Sequence, residues 1–166
     1  MVTIRTIQES DAEAFLDLCL RLDVETAFMM LEPGERMRDV AAQRTRIADI
    51  LASNNQTLLL AEHARALVGY LSARGGTCRR NRHSVHLVIG ILQAFTGQGL
   101  GARLFAVLED WAHERGLHRL ELTVMVHNTA AIGLYHKLGF VIEGTRKDSL
   151  LVNGAYVDEY AMAKLL

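Results

Sequence analysis

Proline is almost missing from this chain, with Pro33 the only one in 166 residues, so long polyproline or collagen-like segments are excluded. Cysteine is scarce too. Cys19 and Cys78 have no metal-ligand spacing, and with no secretory leader pattern at the N-terminus they are expected of a protein kept in a reducing cytoplasm. No apolar run reaches the ~18 residues that a membrane span needs. Neither sign of charge dominates, since 18 Lys and Arg face 19 Asp and Glu. The one basic cluster, Arg79-Arg80-Asn81-Arg82, is too short for a general nucleic-acid or membrane surface and reads as a solvated loop or a contact for a ligand phosphate. Repeats and low-complexity tracts are absent as well. What the chain does have is hydrophobic material. Half its residues are apolar, enough for one core over a single domain spanning 1–166 and far outside the disordered class.

Glycine is placed rather than scattered. In Leu92-Gln93-Ala94-Phe95-Thr96-Gly97-Gln98-Gly99-Leu100-Gly101-Ala102, three glycines alternate between a Val/Ile/Leu-rich run, Val85 to Leu92, and an amphipathic helix. That run reads as a strand buried on both faces. The helix buries Leu104, Phe105, Leu108, Trp111 and Ala112 and stops at Gly116. Glycines in such a turn allow φ > 0 and bring backbone N–H groups close to an anion, and the helix start favours negative charge. The segment therefore predicts a cradle for phosphate.

Elsewhere helices and strands alternate. Val2 to Ile7 reads as a strand, and Ser10-Asp11-Ala12-Glu13 as a capping box opening a helix with Phe15, Leu18, Cys19 and Leu22 inward. After an unusually apolar loop, Thr26 to Glu35, a second helix is expected from about Met37 to Ala52, with Met37, Val40, Ala41, Ile47, Ala48 and Leu51 inward. Thr57 to Glu62 and Leu67 to Ala73 form a hairpin. Leu120 to Val126 is a strand parallel to Val85–Leu92, joined to it by the glycine helix as a right-handed crossover. Asn128 caps a further helix with Ala131, Leu134, Tyr135 and Leu138 inward and Gly139 at its end. Two last strands flank Asn153-Gly154, a strong hairpin signal.

Three phosphate-binding readings compete. A P-loop needs Lys-Ser/Thr after the last glycine, where this chain has Ala102-Arg103. A dinucleotide fingerprint is literally present as Gly97-x-Gly99-x-x-Ala102, but its acidic ribose partner belongs at the end of the next strand, and Glu121 stands near the start. The third reading takes both motifs together. Thr96-Gly97-Gln98-Gly99-Leu100-Gly101, then Asn128-x-x-Ala131-x-x-Leu134-Tyr135-x-Lys137-Leu138-Gly139-Phe140, resembles the paired motifs of the GNAT superfamily of N-acetyltransferases over essentially the whole chain. Thr96 departs from the family's Arg or Gln at that position, which leaves the backbone amides to bind.

The resemblance implies an α/β (α+β) fold: a mixed, mostly antiparallel sheet of about seven strands, split between the fourth and fifth and flanked by about four helices. It implies transfer of acetyl from acetyl-CoA to a primary amine of a small metabolite or of a peptide or protein. The alternative is a CoA-binding sensor of the same fold without catalysis. Amides of Gln98, Gly99, Leu100, Gly101 and Ala102 would bind the pyrophosphate. Ile91, Leu92 and Gln93 would pair their free amides with pantetheine, beside a β-bulge near Gly90 that opens the split. Asn128 would bind the cofactor near pantetheine, and Tyr135 would protonate the departing thiolate. Acetyl-CoA enters as cosubstrate, with no metal, nucleic-acid or membrane partner and with a homodimer possible.

The acceptor decides how much base is needed. A lysine ammonium costs about 4.6 kcal/mol to deprotonate at pH 7, and an α-amine only about 1. His86, with Glu121 on the adjacent strand, stands where relatives carry a base and is the candidate to take the amine proton, directly or through water, its other reading being a histidine hydrogen-bonded at a strand edge. Tyr135 alone would read as core, and the motif around it favours the general acid. Phe28, Met29 and Glu32 belong to the loop that the resemblance hangs over the acceptor; its other reading is a helix-packing plug.

Overall fold

A computed structural model describes residues 1–166. The elements in chain order are β1 (Val2–Thr6), α1 (Ala12–Glu25), α2 (Val40–Ala52), β2 (Gln56–His63), β3 (Ala66–Gly75), β4 (Ser84–Ile91), α3 (Leu100–Glu114), β5 (Arg119–Met125), α4 (Thr129–Lys137), β6 (Val141–Val152) and β7 (Ala155–Leu165). The seven strands form one sheet in the order β1-β2-β3-β4-β5-β7-β6. Every pairing is antiparallel except β4 with β5. That parallel pair is short. Only Ser84–His86 and Arg119–Glu121 are in register, so Leu87–Ile91 and Leu122–Met125 diverge and open a gap in the sheet.

One hydrophobic cluster joins both sides of the sheet, from Phe15, Leu18 and Leu22 of α1 to Leu104, Phe105 and Leu108 of α3. The hairpin turns follow their residues. Asn153-Gly154 takes φ of 50° and 78°, and Ala64-Arg65 adopts the same left-handed pair without a glycine.

Several expectations need correction. β4 is not buried on both faces: Val85 and Leu87 are buried while His86 and Val88 are exposed, because no helix covers that end of the sheet on their side. No bulge occurs at Gly90, where β3 and β4 stay in regular register. The glycine is needed for space instead, since a Cβ there would lie 2.8 Å from Leu22 Cδ1 and 2.9 Å from Tyr70 Cε1. α2 begins at Val40, capped by the Asp39 side chain on the Ala42 amide, and leaves Met37, Ala41 and Leu51 exposed. Its inner face is Gln43 and Ile47. The capping box is not Ser10–Glu13. Asp11 reaches back to the Gln8 amide at 2.8 Å while Arg5 holds its carboxylate, so a single 3-10 turn precedes α1.

Candidate functional site

The glycine turn delivers its helix with the amides bare. Gly97 and Gly99 adopt φ of 71° and 76°, and nothing lies within 4 Å of where their side chains would be. The first amide to be used in α3 is that of Arg103, which donates to Gly99 O at 3.1 Å. The six amides from Gly97 to Ala102 have no acceptor in the protein, the last four of them, Gly99 to Ala102, because a helix start leaves them unpaired. No acidic side chain occupies the first turn of α3. The turn is braced from behind. Gln98 Nε2 donates to Ala94 O and Thr96 Oγ1 to Gln93 O, both at 2.8 Å, so the side chain of Gln98 ties the loop down and only its amide is on offer.

Three elements meet beside this turn. A Cβ on Gly101 would sit 2.8 Å from Leu134 Cδ2 and 3.7 Å from Ile91 Cδ1, so the glycine lets α3 press against both α4 and the end of β4. Of the three amides expected to be free there, two are engaged: Leu92 donates to Val68 O at 2.9 Å, and Gln93 donates to the Glu25 carboxylate at 3.0 Å. The alternation of an antiparallel ladder then turns the Ile91 and Ile89 amides away from β3 and into the gap left by β5. Ile89 was missed in the sequence. Strand periodicity from Ile91 would have found it.

On α4, Asn128 Oδ1 accepts from the Ala131 amide at 3.3 Å, which caps the helix and leaves its amide nitrogen to donate outward. Tyr135 is buried, its ring packed edge-on against Phe105 and tilted against Phe140. Burial pushes its phenol up to about 12. The hydroxyl has no hydrogen bond, yet no buried polar side-chain atom of the protein lacks a partner, so it retains an opening.

On the opposite face of the sheet, the loop after α1 and the β6–β7 hairpin enclose a cavity of about 320 Å³. Met29, Met30, Leu31 and Pro33 line it from the loop, Met125 from the lip of β5, and Leu150 and Leu151 from the hairpin. Glu32 stands at its exposed rim. Phe28 lies outside the cavity, its ring 5.2 Å from that of His127, which directly precedes Asn128. Buried Asp23 pins the loop, accepting from Arg36 Nε at 2.6 Å and Nη2 at 3.0 Å.

His86 is not part of this assembly. It is exposed, on the last rung where β4 and β5 pair, and five residues from Ile91, or roughly 16 Å along the strand. That puts it at the closed end of the gap, away from Ile91 and the glycine turn at the open end. Glu121 beside it is already held by Arg119 Nε at 2.7 Å. No three His, Cys, Asp or Glu side chains are grouped so as to hold a metal ion.

Comparisons with known proteins bear on this geometry. The profile of the acetyltransferase (GNAT) family matches residues 21–140. An L-amino acid N-acetyltransferase, AaaT of Escherichia coli, is 35% identical over 103 residues, which cover 60% of this chain and 62% of that protein, less than two thirds of its length. An N-alpha-acetyltransferase, RimI of Mycobacterium tuberculosis, is 35% identical over 115 residues, 69% of each chain. The crystal structure of a GNAT-family acetyltransferase from Streptococcus pneumoniae superposes with a TM-score of 0.97 at 31% identity, covering 100% of both chains. The chain belongs to the acetyltransferase (GNAT) family.

Proposed function

We propose that this acetyltransferase moves acetyl from acetyl-CoA to the α-amine of an amino acid or of a peptide N-terminus carrying an apolar side chain. The observation that carries the cofactor half is the run of six unpaired amides from Gly97 to Ala102, which faces an anion with backbone donors and the positive end of a 15-residue helix. The amides of Ile89 and Ile91, turned into the gap, would pair with the pantetheine arm and bring the thioester between β4 and β5. Asn128 would donate to the same arm from the start of α4.

The chemistry then needs a neutral amine and a protonated leaving group. The amine nitrogen attacks the thioester carbonyl, the C–S bond breaks, and the thiolate takes a proton from Tyr135, which its buried setting keeps protonated at neutral pH. The acceptor half rests on the cavity. Its size suits a small ligand and its lining is mostly Met, Leu and Pro, so a side chain of similar character would enter it. An α-amine also needs little help to lose its proton, about 1 kcal/mol at pH 7. The names of the E. coli and M. tuberculosis relatives point the same way, one to amino acids and one to α-amines.

A free-thiol assay over a panel of amines tests this reading. Methionine, leucine and peptides beginning with them are expected to release CoA from acetyl-CoA faster than lysine side-chain analogues and acidic amino acids. Equal release with and without every amine would overturn it.

A further inference from the structure

An acceptor amine arrives as a cation; two carboxylates line the cavity, and a third lies on the strand next to its Met125 wall. Two are poorly placed. Asp23 has both oxygens bonded to Arg36, and Glu32 is exposed at the rim, where solvent screens it. The third is Glu159 of β7. It pairs directly with Met125 across β5, and it is two residues from Val157, the partner of Leu150 on β6. Met125 and Leu150 both line the cavity, so strand pairing puts Glu159 on their face of the sheet, next to Met125 and behind the lining residues.

This carboxylate is buried at 5% exposure and only half used. Its Oε2 accepts from Ser149 Oγ at 2.5 Å and lies 3.6 Å from Arg146 Nη1, while Oε1 accepts nothing. Because no buried polar side-chain atom goes without a partner, Oε1 keeps some accessible surface. The sequence spends two extra residues to arrange this. Between Arg146 and Leu150 the register of β6 slips against β7, Asp148 takes φ of 48°, and Asp158 fixes the slip by accepting from the Asp148 amide at 2.9 Å and Lys147 Nζ at 2.8 Å. The bulge is what carries Ser149 onto Glu159, and such irregularities serve to re-aim a side chain.

We propose that Glu159 holds the ammonium group of the acceptor beside Met125, at the β5–β7 side of the cavity, through Oε1, with Ser149 fixing the carboxylate's orientation. This rests on the acceptor reading above. Of the two protons that the ammonium loses on becoming an amide, one leaves to solvent from the Glu159 pairing. The other is balanced by the proton that Tyr135 gives the thiolate and regains through water.

Steady-state kinetics on Glu159→Gln with a methionine acceptor test it. The amine KM is expected to rise about ten-fold or more, the loss of one charge-assisted hydrogen bond, with the acetyl-CoA KM unchanged. Glu159→Asp should recover part of that loss. An amine KM in Glu159→Gln equal to that of the wild type would overturn this proposal and leave the acceptor reading standing. A wild-type protein that acetylates no amine of the panel would overturn both. If Glu159→Gln does not fold, Ser149→Ala decides: a raised amine KM supports the assignment, and an unchanged one overturns it.

Discussion

Asp23 and Arg36 are joined end to end of the α1–α2 loop, two parallel hydrogen bonds spanning from the last turn of α1 to the approach to α2. The carboxylate side chain is 2% exposed and the guanidinium 22%, so the pair is a buried latch more than a surface contact. Replacing Arg36 by Met leaves a buried charge without its partner, which costs about 3–5 kcal/mol. Urea denaturation of Arg36→Met should show that loss, and the double change Asp23→Leu with Arg36→Met should restore most of it. A loop freed in the single variant should also raise the amine KM while leaving that for acetyl-CoA unaltered.

Tyr135→Phe removes the proposed acid and almost no packing, because the ring contacts to Phe105 and Phe140 remain. Single-turnover rates should fall by about 10²-fold or more with acetyl-CoA affinity preserved. The wild-type pH profile carries a second signature. The folded phenol titrates near 12, above its ordinary value of 10.0, so its contribution to stability is complete below pH 10 and is lost as pH rises through about 12. Denaturation midpoints measured from pH 8 to 12 should therefore decline from about pH 10 upward in the wild type and less steeply in Tyr135→Phe. Turnover should show no descending limb from this group below pH 10.

The glycines separate into two kinds with opposite consequences. Gly90→Ala drives a methyl group to 2.8 Å from Leu22 Cδ1 and 2.9 Å from Tyr70 Cε1, an overpacking that costs about 1–3 kcal/mol in thermal stability. Gly97→Ala meets no atom but is held at φ of 71°, a strain of about 1–2 kcal/mol. The first should destabilise without changing cofactor affinity, and the second should weaken acetyl-CoA binding. Paired melting and binding curves would separate them.

The two thiols should differ in reactivity. Cys19 is buried, and burial pushes it up to about 11, whereas Cys78 is exposed in the β3–β4 connection. A thiol reagent at pH 8 should modify one cysteine per native chain, identified by mass as Cys78, and both after denaturation.

Much of this architecture was legible in the residues, and the exceptions share a cause. Asn153-Gly154, the Gly97–Gly101 turn and the Asn128 cap are local: each needs only the conformations of neighbouring residues, and each stands where expected. Gly90 is different. A glycine in a strand marks either a bulge or a close approach, and only the position of Tyr70 and Leu22 decides between them. Met37 and Leu51 continue a helical apolar period, yet Asp39 starts α2 after Met37, and the face that carries Leu51 has no neighbour. Leu92 and Gln93 lose their amides to Val68 and Glu25, partners remote in sequence. His86 occupies an expected strand, but where two strands stop pairing is a property of both, and β5 leaves β4 just beyond it. Glu159 gave no local signal at all, since its meaning depends on a slipped register ten residues upstream.

The account depends on the bare amides after Thr96 receiving the diphosphate of acetyl-CoA. Calorimetric titration of acetyl-CoA into the purified protein measures this directly. Saturable binding with a micromolar Kd, weakened in Gly97→Ala, is the expected result; no binding at millimolar acetyl-CoA would contradict it.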